Sequence, residues 1–180
     1  LTNYLETPHK IMSFAGPLKE FCHKVLGLTY EQCYGTDADK ETLTNWSWRD
    51  IAEEIQYKYG KFGSDDFMTA REVMQVFGTD IMREKFNPDI WAIGAMNDAE
   101  SARERVIMFD DGRFPNEIYE GYKRKAIIIR ITRKGYARND QHESEVALDN
   151  FDWPSINAYQ LVKEDGDVDG HPDRSLDCGD

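Results

Sequence analysis

Apolar residues fall along this chain in short bursts separated by stretches of helical spacing. The sharpest burst is Val106–Phe109, four apolar residues in a row. That is too few for a helix and suits a strand buried on both faces, as in a parallel sheet. It stops on Asp110, Asp111 and Gly112, with Arg113 next. Phe114, Pro115, Asn116 and Glu117 then turn the chain, and residues 117–123 begin a helix. Residues 126–131 form a second strongly buried strand, and residues 159–162 a last one.

Upstream the pattern alternates. Residues 1–6 read as the middle of an amphipathic helix, and residues 9–14 as a short strand. Ala15, Gly16 and Pro17 make a turn, with Pro17 suited to the first helical position. Apolar residues at 18, 21, 22, 25 and 26 keep the helical period up to a stop at Gly27. Residues 29–49 are polar and rich in turn formers, and Asp37, Asp39, Lys40 and Glu41 make a charged loop. A helix returns through Trp48, Ile51, Ile55 and Tyr59, and residues 60–66 connect it onward. Thr69 and Glu72 stand three apart as a capping box for a helix ending at Gly78, and residues 88–102 form another. Such alternation predicts a three-layer α/β domain with a mostly parallel sheet. It occupies residues 1–162, with residues 163–180 as a loose acidic tail.

Composition narrows the function classes. The net charge of −12 opposes a surface that coats nucleic acid, while leaving room for a local basic pocket. No run approaches the length of a membrane span. Three cysteines, Cys22, Cys33 and Cys178, lack metal-type spacing and fit a reducing, cytoplasmic setting. The acids of the tail superficially resemble a calcium loop but lack its closing glutamate.

Candidate chemistry sits at predicted element ends. Asp111 and Arg113 follow a strand terminus, where open α/β sheets bind ligands; solvated charges at a strand end are the equally weighted alternative. Arg71 and Gln75, four apart on one helix face, suit a planar ligand with an anionic group, and Gly78, Thr79 and Asp80 follow them. Trp91 either stacks on a base or fills the core. Arg130, Arg133, Lys134 and Arg138 invert the local charge after the second strand. His142 is a loop histidine, for which solvation is the usual state.

Four ordered pieces carry a resemblance. They are Ser13-Phe14-Ala15-Gly16-Pro17-Leu18-Lys19, residues 71–80 with Trp91 downstream, Asp111-Gly112-Arg113-Phe114-Pro115-Asn116-Glu117, and Arg130-Ile131-Thr132-Arg133 leading to His142-Glu143-Ser144-Glu145. Together they resemble the deoxynucleoside monophosphate kinases of tailed bacteriophages, small P-loop kinases. The resemblance implies a P-loop kinase-like fold with helical substrate-binding and lid insertions. It also implies phosphorylation of a deoxynucleoside monophosphate (dNMP) by ATP with Mg2+, in the cytoplasm of a host, by a homodimer that contacts neither membrane nor nucleic-acid polymer.

By the same resemblance, Ala15, Gly16, Lys19 and Lys40 contact the substrate, and Arg71, Gln75, Gly78, Thr79 and Trp91 line its pocket. Asp111, Arg113 and Glu117 hold the monophosphate substrate or order the transfer, and Arg133 and Arg138 form a lid over ATP. No protein residue is assigned to a dedicated metal site. The P-loop motif itself, Gly-x-x-x-x-Gly-Lys-[Ser/Thr], does not occur in the 180 residues; the resemblance places it just ahead of Leu1. Two other readings stay open: a non-catalytic nucleotide sensor of the same fold, and an interaction protein with an acidic surface.

Overall fold

The computed structural model describes residues 8–133, 147–156 and 158–163. The chain divides into two compact units, Leu1–Asp110 and Asp111–Asp180. The expected helix over residues 1–6, Arg138, His142, Cys178 and nearly all of the acidic tail lie outside the described residues.

In the first unit, β1 (His9–Met12) pairs in parallel with β4 (Val106–Phe109), in a register that sets Met12 against Phe109. Both carboxyl ends therefore reach the same rim. Phe14 and Phe109 stack there, with centroids 4.6 Å apart, over Ala92, Ala95 and Met96 of α6 (Ile90–Ser101). Helix α1 (Gly16–Lys24) starts at that rim, with Pro17 in its first turn. It is followed by Gly27, whose φ of 76° favours glycine.

Between these strands lie α2 (Tyr30–Tyr34), α3 (Asp37–Lys40), β2 (Leu43–Ser47), α4 (Glu53–Lys58), β3 (Phe67–Thr69) and α5 (Ala70–Gln75). The core beneath them gathers Cys22, Leu28, Cys33, Trp48, Ile55, Met68, Val73 and Val76. Burial pushes the Cys22 thiol up to about 12, so this free cysteine is an inert core residue.

Asp37, Asp39 and Lys40 form a short helix that Glu41 ends, not a charged loop. Thr29 caps α2 and Thr36 caps α3, each through a reciprocal capping box with the residue three positions on, Gln32 and Asp39. The buried Gln32 amide then donates to Thr42 Oγ1 and the Leu43 carbonyl, both at 3.1 Å. Satisfied buried polar groups thus hold a segment with few apolar residues. The expected helix through Trp48 is also broken. A 3-10 turn (Trp48–Asp50), closed by Asp50 Oδ2 on the Ser47 N–H (2.8 Å), precedes α4.

The Thr69–Glu72 capping box stands as expected. The helix does not end at Gly78, however. It widens into an 11-residue π-helix, Val76–Phe86, whose last bond runs from the Asn87 N–H to the Met82 carbonyl at 2.8 Å.

In the second unit, α7 (Pro115–Lys123) leads to β5 (Ile129–Arg133), parallel to β6 (Tyr159–Lys163). Its core is Ile118, Trp153 and Ile156, with Ile128, Leu148 and Phe151 against them. The strand around residue 129 is not buried on both faces: Ile127, Ile129 and Ile131 are exposed, while Ile128 faces the core. Arg130 lies 4.9 Å over the Trp153 ring. The period of two puts alternate isoleucines on opposite faces, and this pair of strands covers only one. Strand β4 is likewise half-buried throughout rather than sealed on both faces. Helices mixed with two parallel strand pairs and one antiparallel pair, β2 with β3, make this an α/β chain of the P-loop kinase-like kind.

Candidate functional site

The rim where β1 and β4 end is built for close approach. The Ala15 N–H donates to Ser13 Oγ (3.1 Å) and the Gly16 N–H to the Ser13 carbonyl (2.9 Å), so a tight turn delivers the chain into α1. A Cβ added to Gly16 would meet nothing within 4 Å. Asp110 continues β4 at the same rim and is exposed.

Two glycines let neighbouring helices close on α1. A Cβ on Gly78 would fall 2.6 Å from Leu18 Cδ2, and one on Gly94 would fall 3.3 Å from Pro17 Cβ. Trp91 Nε1 donates to the Gly78 carbonyl at 2.9 Å, and Phe77 stacks on Phe21 at 4.5 Å. Gly78 and Trp91, far apart in sequence, are therefore one wall beside the start of α1. Trp91 is half-buried, with its indole N–H already satisfied by the backbone. The ammonium of Lys19 lies 5.5 Å over the Tyr34 ring.

A second constellation joins α3 and α5. Arg71 Nη2 donates to Asp37 Oδ1 at 3.0 Å, and its Nε donates to Glu41. Lys40 Nζ reaches the same Asp37 oxygen at 3.2 Å. The Lys40 and Arg71 cations hold the Asp37 carboxyl below the usual carboxylate range, and Glu41 and Asp37 raise the Arg71 guanidinium further. Gln75 and Thr79 follow Arg71 on the exposed side of the continuous α5–π-helix segment, while Val76, Gly78 and Asp80 turn inward.

Asp80 neighbours these residues in sequence, but its surroundings set it apart. The residue is 2% exposed. It accepts hydrogen bonds from Lys58 Nζ (2.5 Å) and Tyr59 Oη (2.9 Å). Asp80 and Glu84 raise the Lys58 ammonium well above its ordinary value, and burial with the Asp80 bond pushes the Tyr59 phenol up to about 12. No sequence signal marks this network, because Asp80 stands more than twenty residues from Lys58 and Tyr59.

The remaining predicted residues belong to the second unit. Glu117 Oε2 accepts the N–H groups of Arg113 (2.8 Å) and Phe114 (3.0 Å), so it fastens the turn that carries Arg113 into α7. Asp111 is half-buried and Arg113 exposed. Arg133 ends β5, paired in register with Lys163. Among the described residues no helix is long and apolar enough to cross a membrane.

Comparison with known proteins gives two findings. The family described as deoxynucleotide monophosphate kinase matches residues 9–169. A protein of Acanthamoeba polyphaga mimivirus, described as "Putative deoxynucleotide monophosphate kinase", is 30% identical over 164 residues, which cover 83% of this chain and 72% of that protein. Both support a nucleotide-kinase function. The relative comes from a giant virus, not from a tailed bacteriophage.

Proposed function

The chain belongs to the deoxynucleotide monophosphate kinase family, and we propose that it moves the γ-phosphoryl group of ATP onto a dNMP. An oxygen of the acceptor's phosphate attacks Pγ, the bond from Pγ to the β-bridging oxygen breaks, and a deoxynucleoside diphosphate and ADP leave. The observation that carries the reading is the meeting of Arg71 and Lys40 on one oxygen of Asp37. Both cations are paired with Asp37 and Glu41 here, and an incoming phosphate dianion would take the place of those carboxylates on the arginine fork, whose geometry it matches. Gln75, Thr79 and the Gly78–Trp91 wall take the sugar and base, and Ala15 and Gly16 let the backbone approach the substrate.

Asp111 and Arg113 are assigned to the transferring phosphoryl group, and Arg133 to the ATP side. Phosphoryl transfer is catalysed by positioning and by stabilising spread charge, so arginines suffice where a general base is not required. Among the described residues no group of three or more His, Cys, Asp or Glu side chains is assembled to hold a metal ion. Magnesium takes one or two carboxylates and leaves its other positions to phosphate oxygens and water. Asp110, exposed at the β1–β4 rim, is a carboxylate of the required kind. Bound there, the ion would neutralise charge on the β- and γ-phosphates.

The test is a panel of the four dNMPs with ATP and magnesium, read as ADP formation. At least one acceptor is expected to turn over, with activity lost in Arg113→Ala. Binding without ADP formation would make the chain a nucleotide sensor instead.

Gly16→Ala probes the rim separately. The fold has room for the methyl group, and alanine suits a helix better than glycine does. Its melting temperature is therefore expected to stay level or rise. With the nucleotide bound the same methyl group stands in the approach path, so KM should rise about tenfold, the effect of roughly 1.4 kcal/mol. An unchanged KM would remove Gly16 from the substrate contacts.

A further inference from the structure

The π-helix is the least expected element of the chain. Segments bonded i to i+5 are ordinarily single-turn bulges within α-helices, and they concentrate at functional sites. This one spans Val76–Phe86 and carries Gly78 and Thr79, so something outside the local sequence holds it open.

The ties come from α4. Lys58 bonds Asp80 and also Glu84 (3.1 Å), and Glu54 pairs with Lys85 at 3.2 Å. The last two pairs are exposed and contribute little. Asp80 is different, because its side chain is 3% exposed. A carboxylate taken out of water is tolerated only where it is paired and hydrogen-bonded. Lys58 and Tyr59 supply both needs, and they do so in only one register of the helix. Ordinary α-helical bonding beyond Val76 would rotate residue 80 away from Lys58 and Tyr59 and strand the charge. It would also rotate residue 78, whose carbonyl holds Trp91 and whose missing side chain admits Leu18. Residues 78, 79 and 80 turn together.

We propose that Asp80 is a positioning residue. Anchored by Lys58 and Tyr59, it fixes the register in which the π-helix seats Gly78 against Leu18 and Trp91 and presents Thr79, and thereby tunes which nucleobase is accepted. This rests on the reading of Gly78, Thr79 and Trp91 as the wall of the nucleotide pocket. Asp80 itself touches no ligand in this scheme.

Replacing Asp80 directly endangers folding, so the test cuts its two ties from the outside. Lys58→Gln removes the cation from a half-exposed side chain, and Tyr59→Phe removes only the hydroxyl. Each full-length variant is assayed with all four dNMPs, separating kcat from KM. The expected result is a KM five- to tenfold higher for the preferred acceptor, kcat within twofold of wild type, and a narrower spread of kcat/KM among the bases. Lys58→Arg, which keeps the ion pair, should restore wild-type values.

Variants that melt earlier yet keep KM and base preference within twofold of wild type would overturn the proposal and leave Asp80 as a stabilising residue. A wild-type chain that turns over no dNMP is a different failure. It removes the kinase reading, and this inference with it.

Discussion

Arg71→Ala is expected to lower kcat/KM for the preferred dNMP about 10- to 100-fold, the worth of one charge-assisted hydrogen bond to phosphate or somewhat more. The fold should hardly notice. Arg71 is exposed, and its partners Asp37 and Glu41 are more so, at 83% and 56%. Exposed ion pairs of this kind add little to stability, so the melting temperature should move by no more than about 2 °C. Binding is another matter, because Arg71 has five N–H donors and the two carboxylates engage its Nε and Nη2. Lysine at this position would keep the charge and lose the planar fork, so Arg71→Lys should fall between the two. Steady-state kinetics beside thermal melts decide it. Equal losses of stability and activity would recast Arg71 as a structural residue, and unchanged kinetics would place the phosphate elsewhere.

Arg71 also marks the limit of what the sequence discloses. Its spacing to Gln75 and the cap at Thr69 are local, and local signals were readable: the turn into α1, Pro17, Gly27, the Thr69–Glu72 box, β4 and the start of α7. Its partners Asp37 and Glu41 stand 34 and 30 residues earlier, in a segment that composition marks as loop. There the helices are too short for an apolar period to register, and the caps Thr29–Gln32 and Thr36–Asp39 were the only available signal. The π-helix had none at all. Val76, Gly78 and Asp80 reach the interior through i to i+5 bonding sustained by contacts with α4, and no local pattern encodes that. Around Ile129 the error ran the other way. A run of isoleucines reads as burial on both faces, whereas this two-stranded ladder covers one.

Trp48→Ala is expected to cost about 3–5 kcal/mol of stability, the range for deleting a fully buried large aromatic side chain. For a chain of this size that is a fall in melting temperature of roughly 6–20 °C. Trp48 is 1% exposed among Cys22, Ile55, Met68 and Val73, where neighbours drawn from several elements cannot all collapse into the space it leaves. The damage should also travel toward the site. The indole packs against the Tyr59 ring at 5.1 Å, and the Tyr59 hydroxyl holds Asp80 at the foot of Thr79. A loosened Tyr59 should therefore raise KM in the fraction that stays folded, by an amount similar to Tyr59→Phe. Urea titration gives the stability change directly, and a double-mutant cycle of Trp48→Phe with Tyr59→Phe gives the coupling. Contacting residues should couple by more than about 0.5 kcal/mol. A loss below about 1 kcal/mol for Trp48→Ala would mean the core relaxes around the gap, and strict additivity in the cycle would cut the path from Trp48 to the π-helix.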